Sequence, residues 1–118
     1  MKANLERYPE RGRAQRVLIS PEFEAICPRP MTEMVQPIVD VYGIEALGFV
    51  HTVNNPLKAW SVLHNVEILE WARPEWMLNG VQAFRPTLIL AAESDKILMS
   101  EANENEIPVL TFKEDPID

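Results

Sequence analysis

The sequence predicts a single small α+β domain, with a mostly antiparallel sheet and two or three short helices. Its 118 residues make about one domain, and 47% apolar and 25% charged residues are typical of a soluble globular chain. Ten prolines against four glycines indicate stiff, irregular connections rather than a helical bundle. Several short apolar runs are separated by turn residues, as in a sheet of short strands.

We divide the chain into a basic N-terminal arm, residues 1–15, and one domain, residues 16–118. The arm has no apolar periodicity. Residues 1–16 carry a net charge of +3, and because the whole chain carries −7, the remaining residues carry −10. Nothing in the arm resembles a signal peptide, because charged residues run through it and an apolar centre is lacking. The longest uninterrupted apolar run, residues 88–92, is too short to cross a bilayer.

A short buried strand and a short helix are predicted to open the domain. Residues 16–20 (RVLIS) are rich in branched apolar side chains, which favours a strand. Ser20 followed by Pro21 is typical of a helix start, with serine as the N-cap and proline at the first helical position. Pro28 and Pro30 require this helix to be brief.

A second helix is predicted to follow, from a cap at Thr32 to Tyr42. Apolar side chains within this range recur on one helical face. Pro37 lies inside the range, so the helix either kinks there or begins later. Gly43 is the expected stop at its C-terminus.

The middle of the chain is predicted to form a β-hairpin. Residues 46–53 (ALGFVHTV) alternate as a half-buried strand does, and Asn54-Asn55-Pro56 supplies a turn. Residues 60–68 then alternate as a long second strand. A helix over 57–71 stays open, because apolar residues there also recur at near-helical spacing; the branched and aromatic residues favour the strand.

The last third of the chain is predicted to hold more short strands. A turn is expected at Asn79-Gly80, after Pro74 ends the hairpin. Residues 17–22 and 97–102 share three apolar residues, a serine and a short acidic segment, which predicts a strand followed by a serine-capped helical turn in both places. The three further strands are predicted at 87–90 (TLIL), 96–99 (KILM) and 108–112 (PVLTF).

Acidic residues dominate the C-terminal part of the chain. From Glu93 onwards there are eight acids against two lysines. An acidic surface repels phosphate backbones and anionic lipids and attracts basic partners, so we expect neither nucleic acid nor a membrane as a partner. The single cysteine, Cys27, excludes an internal disulfide and a cysteine-rich zinc site, and no metal or cofactor is predicted. A cytoplasmic protein is the default expectation.

The ingredients of a catalytic site are few. Cys27, His51, His64 and Asp40 can be written as a Cys-His-Asp triad. The two histidines alternate on presumed paired strands, however, and packing across the hairpin is the favoured interpretation. Cys27 is more simply explained as a small buried residue than as a nucleophile.

Binding to another protein has better support. Trp60, Trp71 and Trp76 lie within 17 residues, and tryptophan and arginine are the residues most enriched in interface hot spots. We expect at least one of Trp60 and Trp71 in the core, whereas Trp76 is the best candidate for a surface anchor. The predicted partner-binding residues are Trp76, Arg73, Arg85, Glu101, Glu104, Glu106, Glu114 and Asp115.

Several short motifs follow one another in a recognisable order. They are Ile19-Ser20, Gly43-Ile44-Glu45 with Phe49, residues 60–71, Phe84-Arg85, Met99-Ser100 and residues 110–112. This order resembles a family of small bacterial immunity proteins from polymorphic-toxin systems. The resemblance implies a cytoplasmic inhibitor that binds and blocks a cognate toxin. An acidic surface suits a basic toxin such as a nuclease, since electrostatic complementarity speeds encounter.

Residues 21–28 (PEFEAICP) carry a second, local resemblance. The segment is similar to the one around the nucleophilic cysteine of tunnelling-fold nitrile reductases and of archaeal amidinotransferases that modify a deazaguanine in transfer RNA. It implies that Cys27 attacks a nitrile to form a thioimide while a nearby acid supplies protons. The family's aspartate, seven residues after the cysteine, falls on Met34, with Glu33 one place before it. An enzyme of this kind would use Cys27, Glu33, His51 and His64.

The sequence therefore predicts a non-catalytic protein-binding module, most concretely an acidic immunity or inhibitor protein. An alternative from a different functional class is a structural subunit of a homo-oligomeric or phage assembly. The basic N-terminal arm favours it, because such arms often become ordered only on a neighbouring subunit. The thiol-dependent enzyme is the remaining alternative.

Overall fold

The computed structural model describes residues 2–5 and 14–113, which form one six-stranded sheet and five helices. None of these five helices is long and apolar enough to span a bilayer. The strands are β1 (Lys2–Leu5), β2 (Gln15–Ile19), β3 (Ile44–Val50), β4 (Glu67–Trp71), β5 (Leu88–Leu90) and β6 (Val109–Lys113). The helices are α1 (Pro21–Ile26), α2 (Met31–Val41), α3 (Pro56–His64), α4 (Pro74–Phe84) and α5 (Lys96–Glu104).

The sheet is parallel in five of its six strands. Its order is β1-β6-β5-β2-β3-β4, with β2 paired in parallel to both β3 and β5. The pairs β3–β4 and β5–β6 are parallel too, and only β1 runs antiparallel, beside β6. The predicted α+β class with a mostly antiparallel sheet is therefore wrong, and the domain is of the α/β type.

The connections explain why the strands run in parallel. A parallel pair needs a crossover, usually a helix, and every connection from β2 to β6 contains one. The chain moves outwards from β2 to β3 and β4, then returns across the sheet to β5 and β6. Helices α1, α2 and α3 pack on one face of the sheet and α4 and α5 pack on the other.

The core is accordingly two apolar layers, one on each face of the sheet. Val17 and Ile19 of β2 pack in the layer with α1 to α3, whereas Leu18 packs in the layer with α4 and α5. All three side chains are fully buried. A strand covered on both faces has no polar face, which is why residues 17–19 of β2 are all apolar.

The predicted hairpin is wrong in its second half. Residues 46–50 do belong to a strand, but Asn55 then caps a helix, since its Oδ1 accepts from the Leu57 N–H at 3.0 Å. Helix α3 occupies the first part of the predicted second strand, and β4 follows only at Glu67. The alternative helix over 57–71 is confirmed as far as His64.

Two other local predictions are wrong because the sheet needs helices to cover it. Residues 96–99 begin α5 instead of forming a strand. The second of the two similar segments, residues 97–102, is therefore helical. Asn79-Gly80 lies within α4 instead of in a turn. Leu98 of α5 and Met77 of α4 are both buried against the sheet, and this burial outweighs the local preferences.

The opening of the domain agrees with prediction. Ser20 caps α1, because its Oγ accepts from the Phe23 N–H at 3.0 Å. Helix α2 begins slightly before the predicted cap, so that Thr32 lies inside it. Gly43 follows α2 at φ +81°, a left-handed conformation that favours glycine. The strands predicted at 87–90 and 108–112 are confirmed as β5 and β6.

Part of the predicted N-terminal arm belongs to the sheet. Residues 2–5 form β1 and pair with β6, and Gln15, the last residue of the predicted arm, begins β2. Residues 6–13 lie outside the described part of the chain. The edge of β6 is thereby paired with a strand of the arm.

Candidate functional site

The loops that follow β2 and β5 diverge at the carboxyl edge of the sheet. The two strands are neighbours, but β2 leads into α1 on one face and β5 leads towards α5 on the other. In open α/β sheets, ligands bind in the crevice that opens where neighbouring strands send their connections to opposite faces. The topology therefore singles out residues 20–22 and 91–96.

One hydrogen bond joins these two loops. The buried Ser20 hydroxyl donates to Asp95 Oδ2 at 2.7 Å. The same carboxylate oxygen accepts from the Ala92 N–H at 2.8 Å, which fixes the loop after β5. Ser20 and Asp95 thus hold the two sides of the crevice together.

A cleft of about 610 Å³ opens beside this hydrogen bond. Three carboxyl side chains line it, Glu22, Glu75 and Asp95, against one cation, Lys96. Glu22 and Glu75 lie in the first turns of α1 and α4, where the positive helix N-termini favour acids. The cleft is therefore negative overall, and we name it the acidic cleft. Its lining is Pro21, Glu22, Pro74, Glu75, Met77, Ser94, Asp95, Lys96, Ile97 and Leu98.

No protein-family model, curated protein or solved structure matches this chain significantly. The chemistry of the site therefore rests on the side chains in and around the acidic cleft. Negative charge and exposed apolar side chains are the two properties that distinguish this region.

Trp76 lies in the first turn of α4 and does not itself line the acidic cleft. The residue is 51% exposed, and its two chain neighbours, Glu75 and Met77, line the cleft. The Arg73 guanidinium carbon lies 5.8 Å from the centroid of the Trp76 ring. Ile97, on the α5 side of the cleft, is also exposed. The structure thus brings the predicted Trp76 and Arg73 together at the start of α4, next in the chain to residues that line the cleft.

The other predicted partner-binding residues lie elsewhere. Arg85 directly follows α4, at the opposite end of that helix from Trp76. Glu101, Glu104 and Glu106 lie in the second half of α5 and just beyond it, whereas the acidic cleft is at the start of α5. Glu114 and Asp115 lie outside the described residues.

The residues of the enzyme hypothesis have separate surroundings. His51 follows β3 at the carboxyl edge, whereas His64 ends α3 near the start of β4, at the amino edge, with its ring 4.4 Å from that of Trp60. The two histidines therefore do not face each other across a hairpin. Burial raises the pKa of the Cys27 thiol, which reduces its thiolate fraction, and Glu33 is exposed in the first turn of α2. Within residues 2–5 and 14–113, no group of three or more His, Cys, Asp or Glu is arranged to hold a metal ion.

The three tryptophans occupy three different environments. Trp60 is buried, as expected for at least one of them, and its Nε1 donates to Gln36 Oε1 at 3.0 Å. Trp71 packs on the opposite face of the sheet, edge-to-face with Phe84 at 5.9 Å between centroids. Trp76 alone of the three has half of its surface in solvent.

Sequence reasoning did not identify the acidic cleft. Ser20 was predicted only as a helix cap, and Glu22, Glu75 and Asp95 were not predicted as site residues. The signal that identifies them is positional, because each stands at or near the start of a helix that follows a parallel strand. Recognising that signal requires the parallel topology first.

Glu70 forms a small charged cluster with His51 and Lys58 outside the acidic cleft. We expect this cluster to make the free energy of unfolding depend on pH. His51 Nδ1 lies 2.5 Å from Glu70 Oε2, and Lys58 Nζ lies 3.3 Å from Oε1. The hydrogen bond with His51, followed by the contact with Lys58, holds the pKa of Glu70 below its ordinary value. The stabilisation is therefore present above the ordinary glutamate pKa and is lost as the pH falls through the lowered pKa.

The test compares Glu70→Gln with wild type by urea unfolding at pH 6 and at pH 3, conditions on either side of an ordinary glutamate pKa of about 4.3. We expect the variant to be less stable at the higher pH and close to wild type at the lower pH. The effect is small, because the pair is partly exposed and screened by solvent. Glu67→Gln, three residues away on β4, is the matched control. An equal loss of stability at both pH values would contradict the prediction.

Proposed function

We propose that this protein is a protein-binding module that receives a basic segment of its partner in the acidic cleft. The single observation that supports this most is the half-exposed Trp76 in the first turn of α4, the helix that also contributes Glu75 to a cleft lined by Glu22 and Asp95. A large aromatic side chain and a set of carboxylates in one place match a ligand that has both apolar and cationic groups.

The physical contributions of the two features differ. Burying the Trp76 ring removes apolar surface from water, which supplies affinity, and tryptophan is among the residues that dominate interface energies. The carboxylates and the net charge of −7 attract basic partners over a distance, which raises the association rate more than the final affinity. The rate of binding should therefore fall with added salt.

The resemblance to bacterial immunity proteins makes a basic toxin the most concrete partner of this kind. The protein would then act in the cytoplasm as the inhibitor of that toxin. This identity stays a prediction from the sequence motifs.

A Trp76→Ala substitution is expected to weaken binding to the partner by about tenfold or more, as for a hot-spot tryptophan. The partner is first captured from the source organism with the tagged protein and identified by mass spectrometry. Dissociation constants of wild type and variant are then measured with the purified partner, together with association rates over a salt series.

Val41→Ala is the matched control, because Val41 is an exposed side chain on α2, away from the acidic cleft. It should change the affinity less than twofold, consistent with about 0.4 kcal/mol. A partner that binds Trp76→Ala as tightly as wild type would exclude the cleft as the binding surface. A rate that does not respond to salt would remove the electrostatic part of the proposal.

Self-association, as in a subunit of an assembly, is a second candidate function that one observation favours. Strand β4 is an edge strand of the described sheet, and its Leu69 is exposed. On the neighbouring α3, Val62 and Leu63 are 81% and 83% exposed. An edge strand beside exposed apolar side chains is a template for pairing with another chain. Light scattering distinguishes the candidates, since a protein that stays monomeric at all concentrations is not such a subunit.

A further inference from the structure

A second, smaller cavity lies between the start of α2 and the start of α3. It measures about 260 Å³, and its polar lining is Glu24, Arg29, Thr52, Asn54 and Asn55. An adjoining cavity of about 300 Å³ shares Glu24 and Thr52 with it. The smaller cavity has no lining residue in common with the acidic cleft.

Asn55 lines this cavity and carries an unused hydrogen-bond donor. The residue is only 8% exposed, and its Oδ1 is occupied by the Leu57 N–H at the start of α3. Its amide nitrogen, Nδ2, is buried and has no hydrogen-bond partner among the described residues. Buried donors are nearly always paired, so an unpaired donor beside a cavity indicates that an acceptor on a ligand completes it.

The other groups of the cavity restrict what that acceptor is. Arg29 lines the same cavity, and the N-terminus of α3 lies at it; both favour an anion. Glu24 also lines the cavity, and burial raises the pKa of its carboxyl group. A phosphate with two negative charges would be repelled by Glu24. A ligand that carries one carboxylate and a cationic group beside it can place the carboxylate at Arg29 and the cationic group at Glu24.

We propose that this cavity binds a free α-amino acid, with its carboxylate held by Arg29 and Asn55 and its ammonium group by Glu24. The apolar parts of the lining, Met31, Val53 and Pro56, suit an aliphatic side chain. The adjoining cavity, with Ala25 and Val50 in its lining, provides room for that side chain. The inference does not depend on the protein-binding proposal, because none of Glu24, Arg29 and Asn55 lines the acidic cleft; the adjoining cavity shares only Pro21 with it.

The test is a titration of the full chain with L-valine, followed by NMR signals of the Asn55 side-chain amide and by thermal unfolding. L-valinamide lacks the carboxylate and N-acetyl-L-valine lacks the ammonium group, so each removes one half of the proposed recognition. We expect L-valine to shift the Asn55 amide signals and to raise the melting temperature. Both analogues should bind about tenfold more weakly or worse, as expected when one charged contact is lost.

Two variants localise the binding. Asn55→Asp keeps an oxygen to cap α3 but removes the Nδ2 donor and adds a negative charge, and Arg29→Gln removes the cation from an exposed position. Each substitution should weaken the binding of L-valine by about tenfold or more. Asn103→Asp, an exposed position on α5, is the control for the added charge and should bind as wild type does.

The proposal is overturned by any of three results. The first is that none of L-valine, L-leucine and L-phenylalanine perturbs the Asn55 signals at about 10 mM, a concentration that detects millimolar affinity. The second is that L-valinamide binds as well as L-valine. The third is that Asn55→Asp and Arg29→Gln both fold and bind L-valine as tightly as wild type, in which case the unpaired donor is satisfied by water only.

Discussion

Replacing Phe23 by alanine is expected to lower the free energy of unfolding by about 3–5 kcal/mol, the cost of truncating a fully buried phenylalanine. Phe23 is the buried residue of the six-residue helix α1 and packs in the layer with β2, β3 and α2. A helix this short has no stability of its own, so its position depends on this one side chain. Urea unfolding of wild type and variant measures the difference.

Ile26→Ala is the matched control, because Ile26 lies on the same helix but is about half exposed. This substitution should lower the free energy of unfolding by well under half as much as Phe23→Ala does. The Phe23 variant should also lose binding at the sites described above, since α1 contributes Glu22 to the acidic cleft and Glu24 to the smaller cavity. A cost for Phe23→Ala no larger than that for Ile26→Ala would show that α1 is not anchored as described.

Replacing Gly48 by alanine is expected to cost about 1–3 kcal/mol through overpacking. A Cβ at this position of β3 would lie 2.9 Å from Cη2 and Cζ3 of Trp71 and 3.2 Å from Cδ1 of Leu18. The Trp71 ring has little room to move away, because Phe84 packs against it edge-to-face. Gly48 is therefore a glycine because an aromatic ring covers the strand at that point.

The cause is tested by repeating the substitution in a Trp71→Leu background. Leucine lacks the ring atoms that an added Cβ would meet, so Gly48→Ala should cost less there than in wild type. The difference between the two costs measures the coupling between positions 48 and 71. Equal costs in the two backgrounds would assign the loss to the conformation of the backbone instead of to the ring.

The hairpin error shows why local patterns did not determine the direction of the strands. Residues 60–68 alternate well enough for a strand, and they also fit a helix. In the structure Trp60 and Leu57 are buried on one side of α3 while Val62 and Leu63 face solvent. The sheet determines that residues 56–64 are helical, because the parallel pairing of β3 with β4 requires a crossover helix between the two strands.

Two of the predicted partner-binding residues, Trp76 and Arg73, lie together at the start of α4, a helix that contributes Glu75 and Met77 to the acidic cleft. Trp76 is predicted as a surface anchor because Pro74 and Asn79 flank it in the chain, and it is the most exposed of the three tryptophans. Glu22 and Asp95 were not singled out, because they are 73 residues apart in the chain. Only the pairing of β2 with β5 brings their loops together.

The sequence by itself determined the elements whose signals are local. The serine-capped start of α1, the glycine after α2 and the buried runs of β2, β5 and β6 depend on residues a few positions apart. The tertiary structure decided the direction of the strands, the helical state of residues 56–64 and 96–104, and the place of the acidic cleft. These features depend on which strands are neighbours and on which helices must cover the two faces, and contacts across the whole chain settle both.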